Sequence, residues 1–326
     1  MYKEKLKKAW REILNFFRKA RGIPVEAQNI RFCYDKKLIL RNINLKARKG
    51  QIIAVVGKSG SGKTTFLKLI TGVEHGCEGR VRIFSKPLLV TKDRLGYVPQ
   101  QISVIPNMNV LDNIKFFGGL HGLSETESMK SGLELLKMLR LHEKADALPT
   151  QLSGGQKTRL NIVTALLHKP DVIILDEPFV GLDFFNRVLL WHFLESLKKK
   201  GKTVILTTHL LSEAGSYADR IFILKKGRIM ISGTADSIEK KLKTHYIMEV
   251  QFQYLSKEDV EAIKEWSRKK TVEILDRFGK YIMFSLETKG QRSYLLQFLD
   301  KRDMKYKETS FRKPNLDEVF LRTDVR

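Results

Sequence analysis

The stretch Ile52-Ile53-Ala54-Val55-Val56-Gly57-Lys58-Ser59-Gly60-Ser61-Gly62-Lys63-Thr64-Thr65 contains the features that decide the fold of this chain. Its first five residues are apolar and mostly β-branched, which predicts a buried strand, and a glycine-rich loop follows them. The next residues, Phe66–Ile70, have the pattern of a helix. Gly57, Gly62, Lys63 and Thr64 have the spacing of a phosphate-binding loop, in which glycines let backbone N–H groups point at an anion.

Each remaining residue type of the loop adds one element of phosphate chemistry. The lysine supplies a positive charge, the helix supplies the positive end of its dipole, and the threonine hydroxyl is a ligand for Mg²⁺. We therefore predict that the whole loop binds the phosphates of a nucleotide, through Gly57, Lys58, Ser59, Gly60, Ser61, Gly62, Lys63, Thr64 and Thr65.

The composition is that of a globular and strongly basic protein. The 326 residues include 60 Lys+Arg and 36 Asp+Glu, a formal net charge of +24. This charge favours nucleotides, nucleic acids or acidic lipid surfaces as partners, without choosing among them. The two cysteines are too few for a disulfide framework and fit a reducing compartment. No apolar run approaches the ~18–20 residues of a transmembrane helix, so we expect any membrane pathway to belong to other chains.

The chain order predicts an α/β fold with a parallel sheet, because strands alternate with helices. Strands are predicted over Val25–Tyr34, Leu38–Ala47, Arg80–Phe84, Val172–Leu175 and Thr203–Leu206, a hairpin over Arg220–Ser232, and helices over Val110–Phe117, Ser124–Leu139, Lys157–Leu167 and Phe185–Lys199. Residues 1–22 predict a basic amphipathic helix, which lies either at a membrane interface or against its own domain.

Two of these strands end in polar residues, at the edge where the ligands of parallel sheets bind. Asp176 and Glu177 follow one strand, and Thr207-Thr208-His209 follows the other. We predict that Asp176 is a Mg²⁺ ligand facing Thr64, and that Glu177 is the general base for an attacking water. The alternative is that the acid pair only caps the next helix.

Beyond Gly233-Thr234-Ala235 the chain predicts a second, smaller domain. Its elements follow the order strand, helix, strand, strand, helix, strand, which is typical of a ferredoxin-like α+β module. The predicted organisation is therefore an N-terminal helix over residues 1–22, a nucleotide-binding domain over 23–234 and an accessory domain over 235–326.

Six motifs in order give the chain its family resemblance. Leu152-Ser153-Gly154-Gly155-Gln156 is identical to the signature loop of ATP-binding cassette (ABC) proteins, and it lies between the phosphate loop and Asp176. Tyr34 resembles the aromatic residue that stacks on adenine, Gln100 the Q-loop glutamine, Asp183 the D-loop aspartate, and His209 the switch histidine. The resemblance implies an α/β P-loop NTPase core of the ABC ATPase type with a helical signature subdomain.

The resemblance also implies an ATPase that is active as a head-to-tail dimer with ATP and Mg²⁺ as cofactors. Each ATP would lie between Lys63 of one cassette and Ser153, Gly154, Gly155 and Gln156 of the other. Glu177 would be the base, His209 would hold the γ-phosphate and water, and Thr64, Asp176 and Gln100 would ligate the metal. Phe179-Val180, Phe184 and Thr164 depart from the family pattern near the dimer interface, without removing a catalytic group.

The last motif indicates the type of transporter. Pro314–Leu321 resembles the closing motif of nucleotide-binding subunits that serve exporters of drugs, lipids or polysaccharides. We expect a peripheral subunit on the cytoplasmic face of the cell membrane that binds transmembrane permease subunits and a second cassette, and no direct contact with nucleic acid. Apolar residues after Gln100, including Ile102 and Phe116, are expected to accept a coupling helix of the permease. The alternatives are an importer subunit and a soluble cassette ATPase that acts on ribosomes or nucleic acid.

Overall fold

A computed structural model describes residues 23–76, 78–241 and 246–314 of the chain. The contacts divide the chain into two units, with the boundary between Ser232 and Gly233. The helix predicted over residues 1–22 lies outside the described residues, as does the closing motif beyond Pro314. Within the described residues, none of the helices is both long and apolar enough to cross a bilayer.

The first unit combines an antiparallel sheet with a larger, mostly parallel sheet. Its described strands β1 to β10 are Val25–Tyr34, Lys37–Ala47, Ile52–Val56, Glu78–Ile83, Lys86–Pro87, Leu95–Val98, Val172–Leu175, Thr203–Thr208, Arg220–Lys225 and Arg228–Gly233. The antiparallel sheet has the strand order β2-β1-β4-β5, and the larger sheet has the order β10-β9-β3-β8-β7-β6.

The central strands of the larger sheet confirm the predicted parallel fold. β3 pairs in parallel with β8 and β9, and β7 pairs in parallel with β6 and β8. All residues of β3, β7 and β8 are buried, as expected for strands that are covered on both faces. The carboxyl ends of β3, β7 and β8 therefore meet at one edge, with the phosphate loop after β3 and the acid pair after β7. The short strand β6, which leads to Gln100, was not predicted from the sequence.

Six described helices accompany these strands. In chain order, α1 to α6 are Lys63–Thr71, Val110–Leu120, Glu125–Met138, Gly154–Leu166, Phe184–Lys199 and Leu211–Tyr217. Helices α2, α3 and α4 pack against one another and form the predicted helical subdomain. Helix α4 begins at Gly154, three residues before its predicted start, because Ser153 and Gln156 form a capping box that stabilises an earlier first turn.

The second unit has the predicted ferredoxin-like topology. After α7 (Ala235–Lys241) its described elements are β11 (Tyr246–Phe252), α8 (Lys257–Lys269), β12 (Glu273–Phe278), β13 (Tyr281–Leu286), α9 (Lys289–Lys301) and β14 (Tyr306–Arg312). The strand order is β12-β13-β11-β14 and all pairs are antiparallel. Helix α9 begins at Lys289, since Thr288 and Gln291 form a capping box at its start. Apolar residues of both helices and the sheet form the core of this unit.

Candidate nucleotide-binding site

The phosphate loop connects β3 to α1 in a conformation that requires glycine at two positions. Gly62 has φ 105°, and a Cβ there would lie 2.7 Å from Leu40 Cδ2. A Cβ on Gly57 would lie 2.4 Å from the carbonyl oxygen of Leu224. The loop is therefore packed against β2 and β9, and this packing determines where its N–H groups lie.

The lysine of the loop is held by three oxygen atoms. Lys63 Nζ donates to the carbonyl oxygens of Gly57 at 2.8 Å and Lys58 at 3.3 Å. It also forms an ion pair with Glu177 Oε1 at 2.9 Å. The two charged side chains are only 7% and 11% exposed, so solvent screens their attraction weakly. The structure thus joins the predicted phosphate-binding lysine directly to the predicted base.

A threonine that the sequence analysis did not select orients both acids. The hydroxyl of Thr207 donates to Asp176 Oδ1 at 2.6 Å and accepts the backbone N–H of Glu177 at 2.8 Å. Asp176 Oδ2 is buried and has no hydrogen-bond partner among the described residues. An orphaned carboxylate oxygen is costly in a protein interior, so this atom is available to an incoming ligand. The signal for Thr207 was its place at the carboxyl end of β8.

The Asp176 carboxylate acts on the hydroxyl of Tyr97. Burial, and next the negative charge of Asp176, raise the pKa of the Tyr97 hydroxyl to about 12. Tyr97 itself stays neutral at physiological pH.

His209 completes the group around the predicted base. Its Nδ1 lies 3.2 Å from Glu177 Oε2, a distance at which a protonated Nδ1 donates to the carboxylate. The His209 side chain is 57% exposed, whereas Glu177 is nearly buried. The imidazole is therefore free to turn toward a ligand while Glu177 stays in place.

These residues border a cleft of about 520 Å³, which falls in the size range of small-molecule sites. Of the predicted residues, the cleft is lined by Tyr34, Ser59, Gly60, Gly62, Lys63, Thr64, Thr65, Gln100, Glu177 and His209. Lys37, Ile39 and Val180 also line it and were not predicted. Asp176 and Ser61 are buried in the same region without lining the cleft.

Tyr34 is held at the cleft by two contacts. Its ring packs edge-to-face on Phe32 with centroids 4.8 Å apart, and its hydroxyl donates to Glu74 Oε2 at 3.0 Å. Burial, followed by the Glu74 carboxylate, raises the pKa of the Tyr34 hydroxyl above its ordinary value. The ring is 39% exposed, which leaves surface on which a base can stack.

The signature loop is not part of this cleft. Ser153 and Gly154 are exposed, and a Cβ built on Gly154 meets no atom within 4 Å. Gly155 is buried, with its Cβ position 3.2 Å from Leu182 and 3.5 Å from the Asn186 amide. The start of α4 therefore packs against the loop that precedes α5.

Asp183, the predicted D-loop residue, caps α5. It accepts the backbone N–H of Asn186 at 2.9 Å. This bond, followed by the one from the Asn186 side chain, lowers the pKa of Asp183. Like Ser153, Gly154, Gly155 and Gln156, it does not line the cleft of its own chain.

Comparisons with known proteins agree with this arrangement. Residues 40–180 match the ABC transporter family. The linearmycin resistance ATP-binding protein LnrL of Bacillus subtilis (strain 168) is 29% identical over 301 residues, covering 91% of this chain and 97% of LnrL. The Nod factor export ATP-binding protein I of Burkholderia orbicola (strain AU 1054) is 34% identical over 219 residues, covering 66% of this chain and 72% of that protein.

A solved structure extends the comparison to three dimensions. The dimeric, post-hydrolysis structure of the ATP-binding cassette MJ0796 bound to ADP and Pi has a TM-score of 0.59 and 31% sequence identity. The match covers 64% of this chain and 98% of MJ0796. The phosphate loop, the acid pair and the signature loop thus lie in a domain whose fold and sequence both match cassette ATPases. The chain belongs to the ABC transporter family, as an ATP-binding subunit with ATPase activity.

Proposed function

We propose that this chain hydrolyses ATP at the cleft around Lys63 and Glu177 to drive an exporter. The observation that carries the proposal is the group formed by Lys63, Glu177 and His209 beside the buried carboxylate of Asp176. This group offers a cation for phosphate, a carboxylate for water and an oxygen for a metal. Residues 23–234 would form the catalytic domain, and the second unit an accessory domain.

The donor set suits Mg²⁺, which prefers oxygen ligands. Asp176 Oδ2 is buried without a partner among the described residues, and Thr64 and Gln100 line the adjoining cleft. These three side chains would hold the ion. When bound, Mg²⁺ neutralises the charge that develops on the β- and γ-phosphates.

Lys63 Nζ lies 2.9 Å from Glu177 Oε1, so the phosphate-binding lysine holds the base. The phosphates of ATP attract Lys63 Nζ, and its ion pair with Glu177 weakens as this contact forms. The released carboxylate accepts a proton from the attacking water, and the resulting hydroxide equivalent adds to the γ-phosphorus as the bond to the leaving ADP oxygen breaks. His209, whose Nδ1 lies 3.2 Å from Glu177 Oε2, would turn toward the γ-phosphate and the attacking water.

A second cassette would complete the site. Ser153 and Gly154 are exposed at the start of α4, where a helix presents backbone donors to an anion. They lie apart from the cleft of their own chain, so we propose that they bind the γ-phosphate across a dimer interface. The open space at Gly154 suits such an approach.

The exporter assignment is supported by the relatives, one of which is named for Nod factor export and another for linearmycin resistance. Ile102 and Phe116 follow the cleft residue Gln100 and are 39% and 40% exposed. We propose that they receive a coupling helix of separate transmembrane subunits at the cytoplasmic face of the membrane. ATP-driven closure of the two cassettes would then move the membrane subunits.

Purification of the tagged chain from native membranes tests this assignment. We expect a multi-spanning membrane protein to copurify with it, and Mg²⁺-dependent phosphate release that EDTA abolishes. Recovery of ribosomes or nucleic acid without a membrane protein would contradict the transporter role. Transport of the cargo into the cytoplasm in reconstituted vesicles would contradict the direction.

A further inference from the structure

A second hollow, which we call the arginine hollow, opens on the first unit and shares no lining residue with the nucleotide cleft. Its volume is about 560 Å³. It is lined by Arg31, Leu38, Arg41, Asn42, Arg228 and Ile229. Half of these residues are arginines and none is acidic. The three arginines come from β1, β2 and β10, so both sheets of the unit contribute to the hollow.

A β-bulge in β2 places two consecutive side chains, those of Arg41 and Asn42, on the outside of the sheet. Leu40 and Ile43 are both buried, yet the two residues between them, Arg41 and Asn42, are exposed. Leu40 pairs with Phe32 and Ile43 with Ile30, so β2 has one more residue than β1 in this interval. Asn42 has φ 57°, as bulge positions often do. Bulges of this kind redirect a side chain that regular alternation would bury.

The backbone then fixes Arg41 next to Arg228. The N–H of Arg41 donates to the carbonyl oxygen of Gly227 at 2.7 Å, and Arg228 follows Gly227 directly. Gly227 in turn donates its N–H to Ser61 of the phosphate loop at 3.0 Å. Two guanidinium groups therefore project from a braced backbone, and less conformational freedom is lost when they bind a common ligand.

The positive charge of the hollow is poorly compensated. Among the described residues, the side chains of Arg41 and Arg228 have neither a hydrogen-bond partner nor a carboxylate within ion-pair distance. Arg31 lies 3.6 Å from Glu78, and both side chains are more than half exposed, so this pair is weak. Neighbouring like charges favour the binding of an anion. A guanidinium binds phosphate oxygens through two parallel N–H groups, a geometry that a lysine lacks.

We propose that the arginine hollow binds a phosphate-bearing anion, independently of the ATP cleft. Free pyrophosphate-like anions and phospholipid headgroups share this chemistry. The apolar side chains of Leu38 and Ile229 beside the arginines leave room for a ligand that carries more than the phosphate itself.

Calorimetric titration with inorganic pyrophosphate tests the site in the full-length Lys63→Ala chain, where the phosphate loop has lost its cation. We expect saturable binding that Arg41→Ala or Arg228→Ala each weakens about tenfold, because each removes a pair of charge-assisted hydrogen bonds. The matched control is Arg80→Ala, which removes the same charge from exposed β4 outside the hollow. Arg228→Lys keeps the positive charge but lacks the two parallel N–H groups of a guanidinium. Its affinity for pyrophosphate should lie between those of the parent and Arg228→Ala.

The two sources of phosphate are separated by vesicle flotation. We compare phosphatidylcholine vesicles with and without phosphatidylglycerol, using the Lys63→Ala parent and the same arginine variants. Loss of phosphatidylglycerol binding in Arg41→Ala, but not in Arg80→Ala, assigns the hollow to a lipid headgroup. Vesicle binding that does not depend on Arg41, together with specific pyrophosphate binding, assigns it to a soluble anion.

Two results would overturn the proposal. One is the absence of pyrophosphate and phosphatidylglycerol binding in the Lys63→Ala parent. The other is an equal loss in Arg41→Ala, Arg228→Ala and Arg80→Ala, since that pattern indicates diffuse attraction by surface charge. Thermal unfolding of each variant shows whether it is folded. If an alanine variant does not fold, the affinity of the Arg228→Lys chain is compared with that of the parent instead.

Discussion

Replacing Glu177 by glutamine removes the charge that pairs with Lys63 Nζ at 2.9 Å. Loss of one partner from a buried ion pair costs about 3–5 kcal/mol. Here Lys63 keeps the carbonyl oxygens of Gly57 and Lys58, and the glutamine amide oxygen still accepts a hydrogen bond. We therefore expect a penalty of about 1–2 kcal/mol in the ATP-free state. ATP supplies new partners for Lys63 and relieves the penalty, so Glu177→Gln should bind ATP roughly five- to thirtyfold more tightly.

The same change removes the predicted base, and we expect hydrolysis to fall about 10²- to 10⁴-fold. Phosphate release under multiple turnover measures the rate, and displacement of a fluorescent ATP analogue measures the affinity. Size-exclusion chromatography with Mg²⁺-ATP should reveal a trapped dimer of Glu177→Gln. The control is Glu134→Gln on α3, whose exposed carboxylate contacts only Lys200 at 3.4 Å among the described residues. We expect that variant to match the parent in both rate and affinity.

The two measurements test two separate steps. Hydrolysis by Glu177→Gln at the parent rate would refute the assignment of Glu177 as the base. Weaker ATP binding by the variant would refute the inference that the carboxylate competes with ATP for Lys63. A monomer in saturating Mg²⁺-ATP would contradict closure of a nucleotide-bound dimer.

Three further predictions concern the cleft, the signature loop and the half-buried side chain of His168. Tyr34→Ala should weaken ATP binding about tenfold in equilibrium titration, because one stacked base contributes roughly 1–3 kcal/mol. Gly154→Asp should leave the thermal unfolding temperature unchanged, because a Cβ at this position meets no atom within 4 Å. The same change should abolish the ATP-induced dimer and ATP hydrolysis, because it places a carboxylate against the phosphates. Burial lowers the pKa of His168 below its usual 6.5 in the folded chain. Below about pH 6.5 this histidine is therefore protonated more readily in the unfolded chain than in the folded one. The free energy of unfolding should fall as the pH drops through this range. His168→Gln should reduce this pH slope, which is at most ~1.4 kcal/mol per pH unit for one group, in urea unfolding.

Each of these predictions has a matched control. Tyr34→Trp keeps a stacking surface and should retain ATP affinity; equal losses in both variants would contradict stacking. A lower unfolding temperature in Gly154→Asp would attribute its defect to folding. For His168, Nε2 donates to the Leu95 carbonyl oxygen at 2.9 Å, while buried Nδ1 has no partner among the described residues. His192→Gln changes an exposed histidine, and an equal change of slope in that variant would contradict the role of burial.

Most of the fold could be predicted because it is encoded in short stretches. The apolar run of β3 and the glycine-rich loop each carry their signal within a few residues. Strand β6 was missed because its four residues, which a proline follows directly, are too few to show a hydrophobic periodicity. Helix α4 was predicted to start late, since the reach of the Ser153 capping box depends on side-chain geometry rather than on hydrophobic spacing.

Ten of the candidate site residues named from the sequence line one cleft, but the contacts among them were not predicted. The ion pair between Lys63 and Glu177 and the bridging role of Thr207 both require the strand order β3-β8-β7, which no local pattern specifies. The family motifs named the candidate side chains. The structure adds the contacts that connect these side chains.

The turn at Lys225-Lys226-Gly227 has the sequence of a labelling site, but its backbone is held by other parts of the domain. Its sequence resembles the polar loop tips that usually accept tags and fluorophores. Yet Gly227 has φ 75°, its Cβ position lies against the Ile39 carbonyl oxygen, and its peptide bonds to both β2 and the phosphate loop. A label placed there would disturb the backbone of the phosphate loop. The turn at Gly279, where a Cβ meets no atom within 4 Å, is the better attachment point for following this ATPase by spectroscopy.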